Sequence, residues 1–330
     1  MKAFSYYNAT DLKDALLALG NTDVQGLPLA GGTDILGEIK NRYVSPGRLV
    51  NLKSIPGLDK ISFSREGLKL GALVLLHDIA TDKRIQKDYP GLAQAAESVG
   101  SPQLRNMGTL GGNLCQRPRC WYYRGEEYPC IRKSGGICYA VSGRNKYHCI
   151  IGGGPCFIVH PSDTAPILMA LGAKVTIQGV KESRDVVLDE FFILPEEDST
   201  RENILLPGEL ITAVTVPAPV KGSRSCYLKF KERGSRDFAL VSAGASLLVD
   251  ESGTTCLKAS LVLGGVAPAP HRAKEAEALL TGKKIDLQTV EKAVKAALAD
   301  AAPMTENEYK VGLARTILKR AILRAAGVEV

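Results

Sequence analysis

Two glycine-glycine turns, about eighty residues apart, restrict this chain more than any other feature. The first lies in LAGGTDIL, residues 29–36, and the second in NMGTLGGNL, residues 106–114. In the first, an apolar run enters Gly31-Gly32, and Thr33 or Asp34 stands where the next helix needs a cap. Glycine lets backbone approach a ligand closely, and free N–H groups at a helix start bind phosphate oxygens. One such turn is more often plain structure, and neither is a GxGxxG fingerprint or a Walker-A loop. Two of them, each bearing a threonine and set in an α/β region, are what gripping a dinucleotide pyrophosphate from both sides requires.

Between the second turn and residue 156 the chain changes character. Six of its eight cysteines (Cys115, Cys120, Cys130, Cys138, Cys149, Cys156) fall in one glycine-rich basic loop. The N-terminus shows no signal-peptide pattern, and no apolar run reaches membrane-spanning length. The expectation is a soluble cytoplasmic protein, periplasmic only if exported with a partner. Under reducing conditions clustered thiols point to metal or redox chemistry, not a disulfide mesh. Structural zinc favours paired cysteines two to four residues apart, and only Cys115/Cys120 comes close. A cubane iron–sulfur cluster needs four thiolates and tolerates varied spacing. The excess of Arg117, Arg119, Arg124, Arg132, Lys133, Arg144 and Lys146 over Glu126 and Glu127 would offset an anionic cluster. Scattered free cysteines in a surface loop are the plainer alternative.

The rest of the chain organises around these motifs. Residues 1–55 read as a small α/β unit, with a helix through Ala15-Leu16-Leu17, a helix from about Asp34 and a strand at 49–52. Residues 56–220 follow, with strands at 61–63 and 68–72, a helix at 91–99, a strand at 156–159, a helix after Asp163 and a strand at 173–177. The proline-bearing stretch 217–225 reads as a boundary. Beyond it, 225–330 carries strands at 226–232, 239–249 and 257–263, then helices near 272–281, 287–300 and 306–326.

A third motif, HPSDTAPIL at 160–168, puts Ser162 and Asp163 in an N-cap position, where a carboxylate also suits ribityl or ribose hydroxyls. Nucleophilic catalysis finds no support, because GxSxG and HExxH are both missing. The net charge of +7 is dispersed, and no nucleic-acid signature accompanies it.

AGGTDIL, LRNMGTLGGNL, HPSDTAP and YLKFKERGSRDFALVSAG, in that order, together resemble the FAD-binding medium subunit of the molybdenum hydroxylases, the xanthine and carbon monoxide dehydrogenase type. The resemblance spans nearly the whole chain. It implies an α+β protein: a two-subdomain FAD-binding fold of the vanillyl-alcohol-oxidase/CO dehydrogenase kind, then a C-terminal α+β domain with an antiparallel sheet and helices. Leu29, Ala30, Gly31, Gly32, Thr33, Asp34 and Ile35 would cradle the FAD pyrophosphate, with Thr109, Gly111, Gly112 and Asn113 closing from the other side. Asp163 would approach the ribityl or flavin end, and Lys229 the ring, with Lys231 competing for that place. The cysteine loop resembles the branch of 4-hydroxybenzoyl-CoA reductase and some bacterial aldehyde oxidoreductases, which implies a [4Fe–4S] cluster. Its ligands would be Cys120, Cys130, Cys138 and Cys156, with Cys149 the spare. Cys115 would pack as a small apolar residue, and the loop would stand apart from the flavin-binding chemistry.

The implied role is electron relay between iron–sulfur clusters of a partner and an external acceptor or donor. The implied partners are a molybdopterin-binding large subunit and a [2Fe–2S] small subunit, in a dimer of heterotrimers, with neither nucleic acid nor membrane insertion. The rivals are a stand-alone flavin oxidoreductase and a zinc-stabilised scaffold.

Overall fold

The computed structural model describes residues 1–328. Three sheets carry the chain. The N-terminal sheet is parallel, with Arg48–Asn51 between Ser5–Asn8 and Gly26–Leu29. Helix Leu12–Gly20 buries Ala15, Leu16, Ala18 and Leu19 beside it, and its Asp11 cap accepts from the Asp14 N–H. The second sheet is antiparallel, in the order Ile61–Phe63, Gly67–Gly71, Leu210–Pro217, Lys174–Gln178, Ser183–Val187. The third, also antiparallel, runs His271–Arg272, Thr255–Gly264, Val241–Val249, Ser223–Phe230, with Lys283–Lys284 on its flank.

One short helix joins the second and third sheets. Every residue of Thr164–Ala170 is buried. A Cβ at Gly244, in the middle of strand Val241–Val249, would run into the Ile167 backbone, so the helix rests directly on the strand. Its N-terminus, carrying the HPSD motif, therefore lies at the junction of the two apolar cores. On the other side, helix Tyr309–Ala326 covers Val241–Val249 and Ser223–Phe230 with Ala314, Ile317, Leu318, Ala321 and Ile322.

Two expectations fail locally. Residues 156–159 form no strand. Their backbone bonds go singly to separate partners, the Phe157 carbonyl accepting from Cys149 and the His160 N–H donating to Ala267. Apolar alternation here reflects burial without a ladder. Strand Leu210–Pro217, central to the second sheet, went unread because its alternating burial is interrupted by small and polar residues and leads straight into the proline-rich boundary.

Candidate functional site

The two glycine turns meet. A Cβ on Gly31 would collide with the Met107 carbonyl and crowd Gly108, and Gly108 in turn faces the Thr33 hydroxyl. Only glycine permits this approach. Among the described residues, no protein acceptor takes the N–H groups of Gly32, Thr33 or Asp34, and Asp34 makes no side-chain cap. That ring of free donors at a helix start suits an anionic pyrophosphate.

The second turn is differently employed. The Gly111 N–H donates to the Ala72 carbonyl, and the Gly112 N–H to the Thr109 hydroxyl at 3.2 Å. Asn113 is buried, its Oδ1 accepting from the Ser162 and Thr164 hydroxyls, each at 2.6 Å. The second motif therefore buttresses the first turn and fixes the HPSD motif. Ser162 is the working cap, its hydroxyl accepting from the Ala165 N–H, which releases Asp163.

Asp163 is buried and spent on two partners. Lys229 Nζ donates to it at 2.6 Å and the Tyr227 hydroxyl at 2.9 Å, while Lys229 also reaches the Ser98 carbonyl. Burial holds the Asp163 carboxyl above its ordinary value, against the pull of Lys229 and Tyr227. Burial, and then the Asp163 charge, push the Tyr227 hydroxyl up.

The cysteine loop is fastened at both ends. Its first limb carries Arg117, Arg119, Arg124 and Arg132 onto three acidic residues. Asp34 pairs with Arg119 at 2.8 Å and Arg124 at 2.9 Å and accepts from the Arg117 N–H; Glu38 pairs with Arg124; Glu202 pairs with Arg117 and Arg132. Burial, then Asp34, push the Glu38 carboxyl up. These arginines thus answer carboxylates more than thiols; among the described residues, only Arg132 reaches a sulfur, Cys156 Sγ at 3.9 Å. Asp34, expected in the pyrophosphate cradle, turns its carboxylate to these arginines and leaves the cradle only its backbone.

The second limb is stapled to the start of the last helix. Asn145 and Glu306 exchange backbone-to-side-chain bonds at 2.9 Å in both directions. Asn307 Nδ2 donates to the His148 and Cys149 carbonyls, and Lys310 Nζ to those of His148 and Gly265. Burial of Lys310 lowers its ammonium to about 7.

Between these fastenings lie the loop thiols, with Cys130, Cys149 and Cys156 buried and Cys120 and Cys138 half-buried. Hydrogen bonding with Cys156 holds the Cys138 thiol below its ordinary value, while hydrogen bonding with Cys138, and then burial, push Cys156 up. Charge on Cys138 is felt at Cys120 and Cys149, and charge on Cys130 at Cys120. Burial pushes Cys120 to about 11 and Cys149 to about 12. Cys120 Sγ lies 3.3 Å from His148 Nε2; burial lowers His148 to about 4. Among the described residues, no three His, Cys, Asp or Glu side chains are arranged to hold a single metal ion. A cubane sets a different demand, since its four thiolates bind four separate iron corners.

Beside the thiols lies a cavity of about 400 Å³. Its wall combines Arg119, Cys120, Trp121 and His148 from the loop, Pro161 and Asp163 from the HPSD motif, and Phe238 from the third sheet's hairpin. The expectation that the loop stands apart from the flavin motifs is therefore corrected: loop and HPSD motif share one wall. Lys229 lies behind that wall and holds Asp163 in it. The loop residues in the wall, and the staple at Asn145, Glu306 and Lys310, were missed from sequence; no local pattern marks contacts across 160 residues.

A glycine-lined cradle of free N–H groups, a cavity at the junction of two cores and a C-terminal sheet-and-helix unit define a dinucleotide-binding flavoprotein. The family described as the FAD binding domain in molybdopterin dehydrogenase matches residues 2–219, and the CO dehydrogenase flavoprotein C-terminal domain matches residues 225–325. The aldehyde oxidoreductase FAD-binding subunit PaoB of Escherichia coli (strain K12) is 37% identical over 98% of this chain and 99% of its own. The carbon monoxide dehydrogenase medium chain of Afipia carboxidovorans is 28% identical over 98% of this chain and 96% of its own. Among solved structures, reconstituted CO dehydrogenase from Oligotropha carboxidovorans superposes with a TM-score of 0.79 at 25% identity, covering 99% of both chains. Quinoline 2-oxidoreductase from Pseudomonas putida 86 gives 0.77 at 26% identity, again covering 99% of both. The chain belongs to the FAD-binding medium subunits of the molybdenum hydroxylases, of the CO dehydrogenase and xanthine dehydrogenase type. It is an oxidoreductase subunit, and its fold is the mixed α/β FAD-binding domain followed by the flavoprotein C-terminal domain. No helix among the described residues is long and apolar enough to cross a membrane.

Proposed function

We propose that this chain is an electron-relay subunit that carries a [4Fe–4S] cluster as well as FAD. It would pass electrons between the iron–sulfur clusters of a partner and an external acceptor or donor. The observation that carries the reading is the seat of the cysteine loop beside the HPSD motif: Cys120 and His148 line one cavity wall with Pro161 and Asp163. FAD, when bound, exchanges electrons singly with iron–sulfur partners and in pairs with soluble ones. The protein's own part is binding and orientation. Leu29 to Ile35 would hold the pyrophosphate, chiefly through the N–H groups of Gly32, Thr33 and Asp34. Thr109, Gly111, Gly112 and Asn113 would brace that cradle, and Asp163, held by Lys229, would meet the ribityl or ring end.

Cys120, Cys130, Cys138 and Cys156 would supply the four thiolates. Cys156 is favoured over Cys149 because Arg132 reaches its sulfur at 3.9 Å. The proposed partners are a molybdopterin-binding large subunit and a [2Fe–2S] small subunit, in a cytoplasmic dimer of heterotrimers. Residues 1–55, 56–220 and 225–330 would be the three units of the subunit.

Iron, acid-labile sulfide and flavin are to be measured on the anaerobically purified chain and on two variants. Wild type and Cys149→Ser should carry all three, whereas Cys156→Ser should keep FAD and lose iron and sulfide. The reverse pattern exchanges the two cysteines, and a wild type without iron removes the cluster. A stand-alone flavin oxidoreductase would instead turn over substrate as the isolated chain.

A further inference from the structure

His148 is fixed more tightly than a cavity-wall residue needs to be. Its carbonyl accepts from Asn307 Nδ2 at 3.1 Å and from Lys310 Nζ at 3.0 Å. Its ring packs edge-on against Trp121, with centroids 5.7 Å apart, and tilts over Tyr122 at 6.0 Å. The residue is 3% exposed. Nε2 lies 3.3 Å from Cys120 Sγ, while Nδ1 is buried with no hydrogen-bond partner. The Asn145 carbonyl takes the His148 backbone N–H at 3.0 Å.

The sulfur decides the direction of the bond: a cysteine acting as a metal ligand is a thiolate with no proton to offer, so the imidazole N–H belongs on Nε2, which faces it. The bond then runs one way, from Nε2–H to Sγ.

We propose that His148 is a positioning residue that would donate a hydrogen bond to the Cys120 thiolate, fixing the one proposed ligand that lines the cavity and raising the reduction potential of the cluster it would hold. Of the four proposed ligands only Cys120 lines the cavity, and His148 lines it too. An N–H dipole aimed at a ligand sulfur favours the more negative, reduced state, and hydrogen bonds to sulfur are among the levers that set such potentials. Asn307 in the turn before the last helix, and Lys310 in its first turn, hold the donor in place. The inference rests on the cluster reading above and assigns a role to a residue that reading leaves idle.

The test is a potentiometric titration of the full chain, purified anaerobically and followed by electron paramagnetic resonance. The step read is a one-electron reduction, with dithionite supplying the electron and ferricyanide removing it. His148→Phe should retain iron and sulfide while its one-electron equilibrium shifts about tenfold toward the oxidised form, a midpoint about 59 mV more negative. His148→Gln, whose amide N–H can reach the sulfur, should stay within about twofold of wild type. His148→Asn, too short to reach, should behave as the Phe variant does, so a misfolded Phe chain does not spare the proposal. Iron-replete Phe or Asn variants with an unchanged midpoint would overturn it. A wild-type chain that binds no iron would overturn the cluster reading and this proposal with it, and that outcome is visible before any variant is made.

Discussion

Replacing Lys229 with methionine removes the cation from a buried pair while keeping most of the side-chain volume. In the folded chain Asp163 and Lys229 are only 4% and 3% exposed at their side chains, so water cannot take the place of the lost ammonium. Leaving one member of a buried pair unpaired costs about 3–5 kcal/mol. The carboxyl has an escape, which is to fold protonated. The cost of that route is about 1.36 kcal/mol for each pH unit above its ordinary value of 3.8. It is about 4.4 kcal/mol at pH 7 and about 1.6 kcal/mol at pH 5.

The sign follows from linkage. In the variant the folded-state value lies far above the unfolded one, so folding takes up a proton and stability falls as pH rises above about 4. Wild type leans the same way, because burial already raises Asp163, but Lys229 and Tyr227 restrain it. At about 1.4 °C per kcal/mol for a chain of 330 residues, the melting midpoint of Lys229→Met should lie about 6 °C below wild type at pH 7 and about 2 °C below at pH 5. Asp163→Asn combined with Lys229→Met should lose this pH dependence. Thermal melts of the apo chains across pH 5–7 provide the assay. A deficit that stays constant over that range would refute the argument, because it would show that Asp163 is not the group left unpaired.

Gly31→Ala should lower bound flavin per chain by an order of magnitude or more, because its Cβ would meet the Met107 carbonyl, whereas Gly37→Ala, with open space around it, should bind normally; absorbance of the purified chains checks both. Lys310→Met should remove a rise in stability on going from about pH 7 toward the ordinary lysine range: the folded ammonium is lowered to about 7, so folding releases a proton there and gains as pH rises. Denaturant midpoints at pH 7 and 9.5 read this directly. Glu202→Gln leaves Arg132 and Arg117 without their shared carboxylate; proteolysis should then cut the loop between 117 and 132 faster than in wild type, by several-fold if the pairs fasten it.

The local signals were read from residues whose physics is local. Gly31-Gly32 announces a close backbone approach, and the run 239–249 announces a strand, which forms over Val241–Val249. The ordered motifs AGGTDIL, MGTLGGNL, HPSDTAP and YLKFKERGSRDFALVSAG were enough for the family. Partnership was not legible. Asp163 and Lys229, 66 residues apart, were each assigned to the flavin, yet they answer one another. The loop arginines were set against thiolates, yet four of them meet Asp34, Glu38 and Glu202. Asn113 was offered to a ligand and instead anchors Ser162 and Thr164.

The chain's sequence by itself determined which segments turn, pair or coil, because φ/ψ preference and burial periodicity act within a few residues. Tertiary structure alone decided where each buried charge and donor found its partner. A buried polar group must be satisfied by whatever the fold brings within about 3 Å, and sequence distance does not enter that condition. Hence Asn145 lies against Glu306, His148 against Cys120, and a loop that reads as an appendage forms the wall of the central cavity.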